Sequence, residues 1–324
     1  MTDLPTRRYG RTGYDVTPLC IGSGSWGATR DGETETEGDE RIAEISTPFA
    51  ARALPVNFLD SSNIYGGGRS ELLVGRGLAR AKATLADQGA GSAGLVVQTK
   101  LDRDVATGDF SADRMRRSLD ETLERLGVDH LQVLHLHDPD SIGFEAAMAD
   151  GGPVSALVTM KEEGVVSSIG ISGGPVGMLQ RFVETDLFDA LITHNRWTLV
   201  DRSASALFDA ATARDVGITN GAPYGAGILT GDPRFAGTYA YRPATQQVLD
   251  TVTALQRVCD DFGVPLGTAA LQFSVRERRI HSTVVGVSSL PRLEAAIDAA
   301  TQALPDELWA ALDAVVPEGI ALDA

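Results

Sequence analysis

The chain has 324 residues, of which 43% are hydrophobic, and it carries a formal net charge of -16 at pH 7. This length suffices for one large core or two ordinary ones. A surface with so much negative charge repels phosphate backbones and anionic lipid, so we expect neither nucleic acid nor a membrane as a partner. No apolar run reaches the roughly 20 residues that a membrane helix needs, and residues 1–10 show no secretory signal.

Eight short apolar segments recur along the chain, and each ends in a glycine or a polar residue. Several are continuous rather than alternating in hydrophobicity, which is typical of strands buried on both faces. In chain order the predicted strands are VTPLCIG (16–22), PVNFLDS (55–61), GLVVQTK (94–100), LQVLHLHD (131–138), VVSSIGISG (165–173), DALITHNR (189–196), VGITNGAPYG (216–225) and HSTVVGVSS (281–289).

Segments with helical spacing lie between these strands. The clearest begins after Ser111 and ends at Gly127, because serine is a favoured N-cap, glycine is a favoured C-cap, and leucines recur between them. The other predicted helices cover residues 69–88, 142–163, 201–216, 248–262, 290–300 and 305–316. Strand and helix alternate about eight times, which favours a closed (β/α)8 TIM barrel over an open sheet. We expect a single barrel domain over residues 1–324, with the active site at the C-terminal rim of the strands.

The segment IGSGSWG (21–27) matches G-x-G-x-x-G, the phosphate loop of Rossmann folds. Such a loop must turn directly into a helix, whereas the acidic residues 31–40 that follow predict a solvated loop. We therefore interpret the three glycines as residues that let the first loop approach the barrel mouth. A second irregular segment, 232–245, follows the seventh strand and is predicted to cover the site.

The two cysteines, Cys20 and Cys259, both lie in apolar contexts. We interpret them as buried thiols rather than a disulfide, which indicates a reducing compartment. A cytoplasmic enzyme or binding protein is the expectation that follows.

Four side chains that suit hydride transfer to or from a carbonyl follow three successive predicted strands. Asp60, Lys100 and His137 each come at a strand end, and Tyr65 lies in the loop behind Asp60. The substrate oxygen exchanges a proton as its carbon exchanges hydride, and a phenol can carry that proton. We expect the ammonium to lower the pKa of the phenol, the carboxylate to hold the ammonium, and the imidazole to polarise the oxygen. Each residue alone has a structural explanation, but together at one rim they predict a catalytic site.

His135 and His137 point to the same side of one strand, which leaves a second chemistry open. A His-x-His pair on a barrel strand can bind a metal, as in metal-dependent hydrolases. Such a site needs further ligands from later strand ends, where only His194 and His281 remain. We therefore predict no metal, with one catalytic and one packed imidazole.

The eighth predicted strand leads into a turn that suits an anion. Gly286, Ser288 and Ser289 precede a helix that begins near Pro291, and Arg292 can add positive charge. The loop after the seventh strand, residues 223–231, contains small residues that let a ligand approach the backbone. Barrels usually bind phosphate at these two loops, so we expect the phosphate end of a cofactor there.

These segments resemble the aldo-keto reductase family over nearly the whole chain. FLDSSNIYGGGRSE carries Asp60 and Tyr65 and looks like the F-D-[TS]-x-x-x-Y-G-x-[SG]-E signature, while QTKL and LHLHDPD match the lysine and histidine strands of the family. The resemblance implies an oxidoreductase that binds NAD or NADP on a barrel without a Rossmann domain. It implies Trp26 and Trp197 as substrate-binding residues. The cofactor-binding residues that it implies are Ser172, His194, Pro223, Tyr224, Gly225, Gly227, Gly286, Ser288, Ser289 and Arg292.

Within the family, the chain looks most like the aldose dehydrogenases, which oxidise L-fucose, L-galactose or D-threo-aldoses at C1 to the lactone. This implies a cytoplasmic enzyme of sugar metabolism that acts on a sugar or aldehyde, with Tyr65 as acid and base. Carbonyl reduction stays open, as do metal-dependent hydrolysis and a non-catalytic cofactor-binding subunit. Several cofactor positions depart from the family: Gly173 stands where asparagine is common, His194 where glutamine is usual, and Val287 where a basic residue is common. An aromatic residue is usual near Gly221, where this chain has NGAP, and Ala295-Ala296 stand where a Glu-Asn pair is usual.

Overall fold

The computed structural model describes residues 4–87, 94–317, 320 and 322. Its eight barrel strands are β1 (Leu19–Gly22), β2 (Phe58–Asp60), β3 (Val96–Leu101), β4 (Leu131–His137), β5 (Val166–Gly173), β6 (Ala190–His194), β7 (Gly217–Gly221) and β8 (Ser282–Gly286). Neighbours in the chain pair in parallel, and β8 pairs with both β7 and β1, which closes the barrel. All eight predicted strands and the (β/α)8 class are confirmed.

Helices surround the barrel. They are α1 (Glu35–Ala50), α2 (Arg69–Asp87), α3 (Ala112–Leu126), α4 (Phe144–Met148), α5 (Pro153–Glu162), α6 (Val176–Val183), α7 (Ser205–Thr212), α8 (Gln246–Asp261), α9 (Leu266–Val275), α10 (Leu290–Thr301) and α11 (Asp306–Val315). The predicted caps of α3 are confirmed, because the Ser111 hydroxyl accepts from the backbone N–H of Arg114 and Gly127 adopts the left-handed conformation. Helices α2, α8, α10 and α11 also agree closely with their predicted ranges.

Two predicted helices have the wrong extent, and α1, α6 and α9 were not predicted. The single helix over 142–163 is divided into α4 and α5, because Gly151 has a φ of 72° and Pro153 begins the second helix. Helix α7 begins at Ser205 rather than at 201. The preceding residues form a turn in which the Asp201 carboxylate accepts from the backbone N–H of Ser203 at 2.8 Å.

The sequence predicts a solvated loop over the acidic segment 31–40. This prediction is wrong for the second part of the segment, because α1 begins at Glu35. The Thr34 hydroxyl accepts from the backbone N–H of Glu37 at 3.3 Å, and the Glu37 carboxylate accepts from the backbone N–H of Thr34 at 2.8 Å. This capping box and the acidic first turn both stabilise the start of a helix. The helix begins well after Gly27, so the glycine loop does not turn directly into it.

A short hairpin, Arg7–Arg8 paired with Asp15–Val16, lies at the bottom of the barrel. Between its strands, Tyr9 is completely buried and its hydroxyl lies 2.7 Å from the Thr219 hydroxyl inside the barrel. Gly217 makes room for this ring, since an added Cβ would lie 2.7 Å from it. The hairpin therefore plugs the end of the barrel opposite the predicted site.

The segment 232–245 lies at the other end of the barrel, where it forms a two-stranded hairpin from Thr238–Tyr239 and Arg242–Pro243. The Tyr239 side chain anchors it, because its buried hydroxyl lies 2.8 Å from the Thr198 hydroxyl. Tyr241 is 75% exposed at the tip. The segment thus extends over the rim after β7, as predicted.

Cys20 and Cys259 are buried free thiols, as predicted. Burial raises the pKa of both groups, and that of Cys259 reaches about 11. Both therefore act as uncharged core side chains. Among the helices of the described residues, none has the length and apolarity needed to cross a membrane.

Candidate active site

Asp60, Lys100 and Tyr65 meet at the C-terminal rim of the barrel. The Nζ of Lys100 lies 2.7 Å from Asp60 Oδ2 and 3.2 Å from the Tyr65 hydroxyl, and it donates to the carbonyl oxygen of Ser61 at 2.6 Å. Lys100 is 2% exposed and Asp60 is 4% exposed, so water competes little with these contacts. The strands β2 and β3 thus deliver a buried ion pair to the phenol.

Two effects of opposite sign act on the pKa of Tyr65. Burial raises it, the Lys100 ammonium lowers it, and the net pKa is raised to about 12. The ammonium lowers this pKa, as we expected. The expectation of a net pKa below the ordinary value is wrong, because burial has the larger effect. Burial alone lowers the pKa of Lys100, but Asp60 and Tyr65 outweigh it and the pKa is raised. The lysine therefore stays charged.

His137 ends β4 and faces the same group. Its ring meets the Tyr65 ring edge-on, with 6.0 Å between the centroids. Its Nδ1 lies 2.9 Å from the carboxylate of Asp102, to which the Ser62 hydroxyl also donates at 2.7 Å. All four predicted catalytic residues therefore lie together, and Asp102 joins them.

Sequence reasoning missed Asp102, although the strand register contains the signal for it. Residue Lys100 of β3 pairs with His135 of β4, and the next pair follows in step. Two positions along, Asp102 therefore comes opposite His137. Because alternate residues of a strand share a face, both side chains point the same way as Lys100.

His135 is a packed imidazole inside the barrel. It is completely buried, and its Nε2 lies 3.1 Å from the Gln98 side-chain oxygen. The Gln98 amide donates in turn to Asp60 Oδ1 at 3.0 Å. The ring occupies the space left by Gly170, where an added Cβ would lie 2.2 Å from it. Burial and then the charge of Lys100 bring the pKa of His135 well below its ordinary value, so the ring is neutral.

The metal-dependent hydrolase alternative gains no support from this arrangement. His135 commits a ring nitrogen to Gln98 and His137 commits one to Asp102, so the two rings serve different partners. Residues 4–87 and 94–317 contain no group of three or more His, Cys, Asp or Glu side chains that could hold a metal ion.

The glycines of the first loop let it pack against the loop of Tyr65, as predicted. An added Cβ at Gly24 would lie 3.7 Å from the Tyr65 ring, which is an ordinary contact. At Gly27 it would lie 2.6 Å from the Cα of Gly66, which no side chain tolerates. Glycine at 27 is therefore required for the close approach of the two loops.

The two predicted substrate-binding tryptophans are both buried. Trp26 is 2% exposed, and its indole N–H donates to the carbonyl oxygen of Val287 at 2.7 Å. It thereby ties the first loop to the turn after β8. Trp197 stacks on Phe273 of α9, with ring centroids 5.6 Å apart, and packs against Phe208 of α7. Trp197 therefore packs toward the helices, and a contact of either indole with substrate stays a prediction.

A polar cavity of about 310 Å³ opens on the rim beside His137. Its walls include Asp138, Asp140, His194, Arg196, Tyr241 and Arg242. Asp138 connects it to the catalytic group, because its Oδ2 lies 3.7 Å from His137 Nε2. Two carboxylates, two guanidinium groups and an exposed phenol ring make this cavity suited to a ligand with many hydroxyl groups.

Ser172 and His194, two of the predicted cofactor-binding residues, lie close to His137. Ser172 pairs with His137 across β4 and β5, and its carbonyl oxygen accepts from the backbone N–H of Asp138 at 2.9 Å. His194 ends β6, and burial brings its pKa below the ordinary value. Both therefore stand on the inner part of the rim.

The loop after β7 holds four more predicted cofactor-binding residues. Pro223 and Tyr224 follow Ala222, the first residue after the strand, and burial raises the pKa of Tyr224 to about 12. Gly225 and Gly227 have φ values of 58° and 111°, a backbone conformation that favours glycine. The chain can fold tightly here because these positions lack side chains.

The turn after β8 carries the remaining four. Gly286 ends the strand, Ser289 is the N-cap residue of α10, and Arg292 is exposed in the first turn of that helix. An added Cβ at Gly286 would meet no heavy atom within 4 Å, so open space adjoins this turn. Ser288 lies between Gly286 and Ser289, next to that space.

Sequence reasoning also missed two arginines beside this turn. Arg30 and Arg41 follow β1, yet both donate to the carbonyl oxygen of Ser288, at 3.1 and 2.6 Å. Arg30 and Arg41 are far from Ser288 in the sequence, so no local pattern indicates them, whereas Arg292 is only a few residues away. The pairing of β1 with β8 in the closed barrel brings them to the turn.

Known proteins are similar to this chain in sequence and in fold. Residues 18–317 match the Aldo/keto reductase family. The chain is 29% identical to L-galactose dehydrogenase of Arabidopsis thaliana, over 93% of this chain and 90% of that protein. It is 32% identical to D-threo-aldose 1-dehydrogenase of Pseudomonas sp, over 63% of this chain and 62% of that protein. An aldo-keto reductase from Bacillus halodurans in its holo form has the same fold, with a TM-score of 0.75, 20% identity and 98% of both chains covered. The chain belongs to the aldo/keto reductase family and is an NAD(P)-dependent oxidoreductase.

Proposed function

We propose that the protein is an aldose 1-dehydrogenase, which uses NAD or NADP to oxidise the C1 hydroxyl of a cyclic sugar to the lactone. The observation that carries this proposal is the contact of 3.2 Å between the Tyr65 hydroxyl and the Lys100 ammonium, near His137, whose neighbour Asp138 lines a polar cavity. An ammonium stabilises a phenolate, so this phenol can give and take a proton. The same group serves the reverse reduction of a carbonyl, because a proton carrier works in both directions.

Four side chains have separate roles in this reaction. Tyr65 takes the proton of the C1 hydroxyl, and Lys100 stabilises the resulting phenolate. Asp60 holds Lys100 through the ion pair of 2.7 Å. His137 orients the hydroxyl oxygen. NAD or NADP, which would be held near Ser172 and His194, would supply the acceptor for the hydride of C1.

Groups on the rim fit a dinucleotide. Ser172 and His194 offer hydrogen-bonding groups beside His137, which suit the carboxamide of a nicotinamide. The start of α10 suits a phosphate group, because the N-terminus of a helix attracts anions and open space adjoins Gly286. We propose that the cofactor extends between these two places, along Ser172, His194, Pro223, Tyr224, Gly225, Gly227, Gly286, Ser288, Ser289 and Arg292.

A sugar fits the cavity beside His137 better than a simple aldehyde does. The carboxylates of Asp138 and Asp140 accept hydrogen bonds from hydroxyl groups, and guanidinium groups donate them. The exposed ring of Tyr241 offers an apolar face for the C–H side of a sugar. The names of two relatives also describe dehydrogenases of sugars, which supports an aldose as the substrate.

We extend the proposal to the setting of the enzyme. Residues 1–324 act as one barrel domain, located in the cytoplasm and working in sugar metabolism. The two free, buried cysteines fit a reducing compartment.

A panel of aldoses, each assayed with NAD and with NADP at the absorbance of the reduced nicotinamide, tests the proposal. We expect at least one aldose to be oxidised to its lactone. Tyr65→Phe keeps the ring and removes the proton carrier, so kcat should fall about 10²–10⁴-fold while the Kd of the cofactor hardly changes. Turnover of simple aldehydes without turnover of any sugar would refute the aldose assignment. A Tyr65→Phe enzyme as fast as wild type would refute Tyr65 as the proton carrier.

A further inference from the structure

We propose that Asp102 is a positioning residue, which fixes a proton on Nδ1 of His137 and so presents Nε2 to the substrate hydroxyl as a hydrogen-bond acceptor. This inference rests on the proposed role of His137 in orienting the C1 hydroxyl. It adds a fifth functional residue to the group of Asp60, Tyr65, Lys100 and His137.

The geometry around Nδ1 leaves one arrangement of protons. Asp102 is 1% exposed, and its carboxylate lies 2.9 Å from Nδ1 of His137. The other neighbour of Nδ1 is the Ser62 hydroxyl at 3.3 Å, but this hydroxyl donates its hydrogen to Asp102 at 2.7 Å. A carboxylate only accepts hydrogen bonds. The hydrogen between His137 and Asp102 therefore belongs to Nδ1.

The second ring nitrogen is left for the substrate. The Oδ2 of Asp138 lies 3.7 Å from Nε2, beyond hydrogen-bond distance. In a neutral imidazole that carries its hydrogen on Nδ1, Nε2 has a lone pair and accepts from a hydroxyl. If the ring gains a proton, the same nitrogen donates to a carbonyl oxygen instead. Asp102 bonds Nδ1–H in both cases, so the ring need not turn between alcohol and ketone or lactone.

A purely structural role explains Asp102 less well. A carboxylate that is buried without a strong partner destabilises the fold, and Ser62 alone is a neutral donor. An uncharged residue at 102 would avoid that cost. The carboxylate is useful at this position because it contacts His137, whose ring lies edge-on to the ring of Tyr65.

NMR of the ¹⁵N-labelled full-length protein reads the position of the proton directly. The chain has five histidines, so a His137→Gln variant identifies the resonances of His137. We expect the neutral ring of His137 to carry its hydrogen on Nδ1 in the wild-type protein. In Asp102→Asn the amide can donate to Nδ1, and the hydrogen should move to Nε2. A wild-type ring with its hydrogen on Nε2 would overturn the proposal, and this result needs no variant to fold.

Kinetics then tell whether the proton position matters. Asp102→Asn should lower kcat about 10- to 100-fold, less than the loss of the proton carrier itself, with the Kd of the cofactor unchanged. The matched control is Asp189→Asn, which makes the same change at another buried carboxylate, one that accepts from the backbone N–H of Ile169 at 3.0 Å and does not touch the imidazole. Asp189→Asn should leave the His137 resonances and kcat as in wild type.

Equal kcat in the Asp102→Asn and Asp189→Asn variants would overturn the proposal. The outcome is separable from that of the proposed function. A hydrogen on Nδ1 in a protein that oxidises no sugar leaves the assignment of Asp102 intact and refutes the aldose substrate. If the protein oxidises a sugar but His137 carries its hydrogen on Nε2, the aldose substrate is supported and the assignment of Asp102 is refuted.

Discussion

Replacing Lys100 with methionine tests the physical basis of the site. The change keeps the length of the side chain and removes its charge. It leaves the Asp60 carboxylate 4% exposed, with the Gln98 amide at 3.0 Å as its remaining side-chain donor. Removing one partner of a buried ion pair typically costs about 3–5 kcal/mol, because the other charge stays buried and uncompensated. We therefore expect the free energy of unfolding to fall by about that amount.

Two comparison variants make the test specific. Lys161→Met removes an ammonium that is 38% exposed and paired with Asp189, and such pairs contribute about 0–1 kcal/mol. The double variant Asp60→Asn/Lys100→Met removes both charges, so it should be more stable than Lys100→Met alone. Urea unfolding followed by tryptophan fluorescence measures all of these at one pH. Lys100→Met with the same stability as Lys161→Met, or a double variant less stable than Lys100→Met, would refute the reasoning.

The same substitution has a kinetic consequence. The ammonium lowers the pKa of Tyr65 against burial, so its loss should raise that pKa further above about 12. Each additional unit reduces the phenolate fraction about tenfold at a given pH. Oxidation by Lys100→Met should therefore be slower than by wild type and should need a higher pH. A profile of kcat against pH identical to that of wild type would show that Lys100 does not act on Tyr65.

Two further predictions concern the barrel interior and the first loop. The pKa of His135 lies well below 6.5 in the folded protein, so the unfolded chain gains a proton at this residue first as the pH falls. The free energy of unfolding therefore decreases below pH 6.5, by up to about 1.4 kcal/mol per pH unit. His135→Gln should therefore show a smaller loss of stability between pH 6.5 and 5 in urea unfolding, and an equal loss would contradict the neutral imidazole. Gly27→Ala should lower kcat, because the added Cβ would lie 2.6 Å from Gly66 and displace the loop of Tyr65. In the control Gly24→Ala the added Cβ would lie 3.7 Å from the nearest atom, so kcat should change much less. Equal kcat values in these two variants would show that the close approach of the loops is not needed.

The strands and the catalytic group could be predicted from the sequence because both depend on local patterns. Buried parallel strands read as continuous apolar segments, and the rim residues come directly after them. Helix α3 was predictable because Ser111 and Gly127 cap it. Helix α1 was missed because its acidic first turn reads as a solvated loop, although Thr34 and Glu37 form a capping box.

Contacts between distant segments could not be read in the same way. Arg30 and Arg41 reach Ser288 only because the barrel closes between its first and last strands. Asp102 is different, since the pairing of Lys100 with His135 predicts its place once the register is known. A parallel register fixed by one pair therefore predicts the neighbours of every later residue on both strands.

The pKa of Tyr65 depends on quantities that no local pattern contains. The sequence supplies Lys100 and Asp60 as charged neighbours of Tyr65. Lys100 lowers the pKa of the phenol and Asp60 raises it by less, so the two charges together favour the phenolate. The burial of Tyr65 acts in the opposite direction, and its effect on the pKa is larger than that of the ammonium. Gly27 lets the first loop approach the loop of Tyr65, since an added Cβ there would lie 2.6 Å from the Cα of Gly66. We therefore expect Gly27 to affect catalysis through the position of the Tyr65 loop, while the Lys100 ammonium partly offsets the burial of Tyr65 and so favours the phenolate that takes the proton of the C1 hydroxyl.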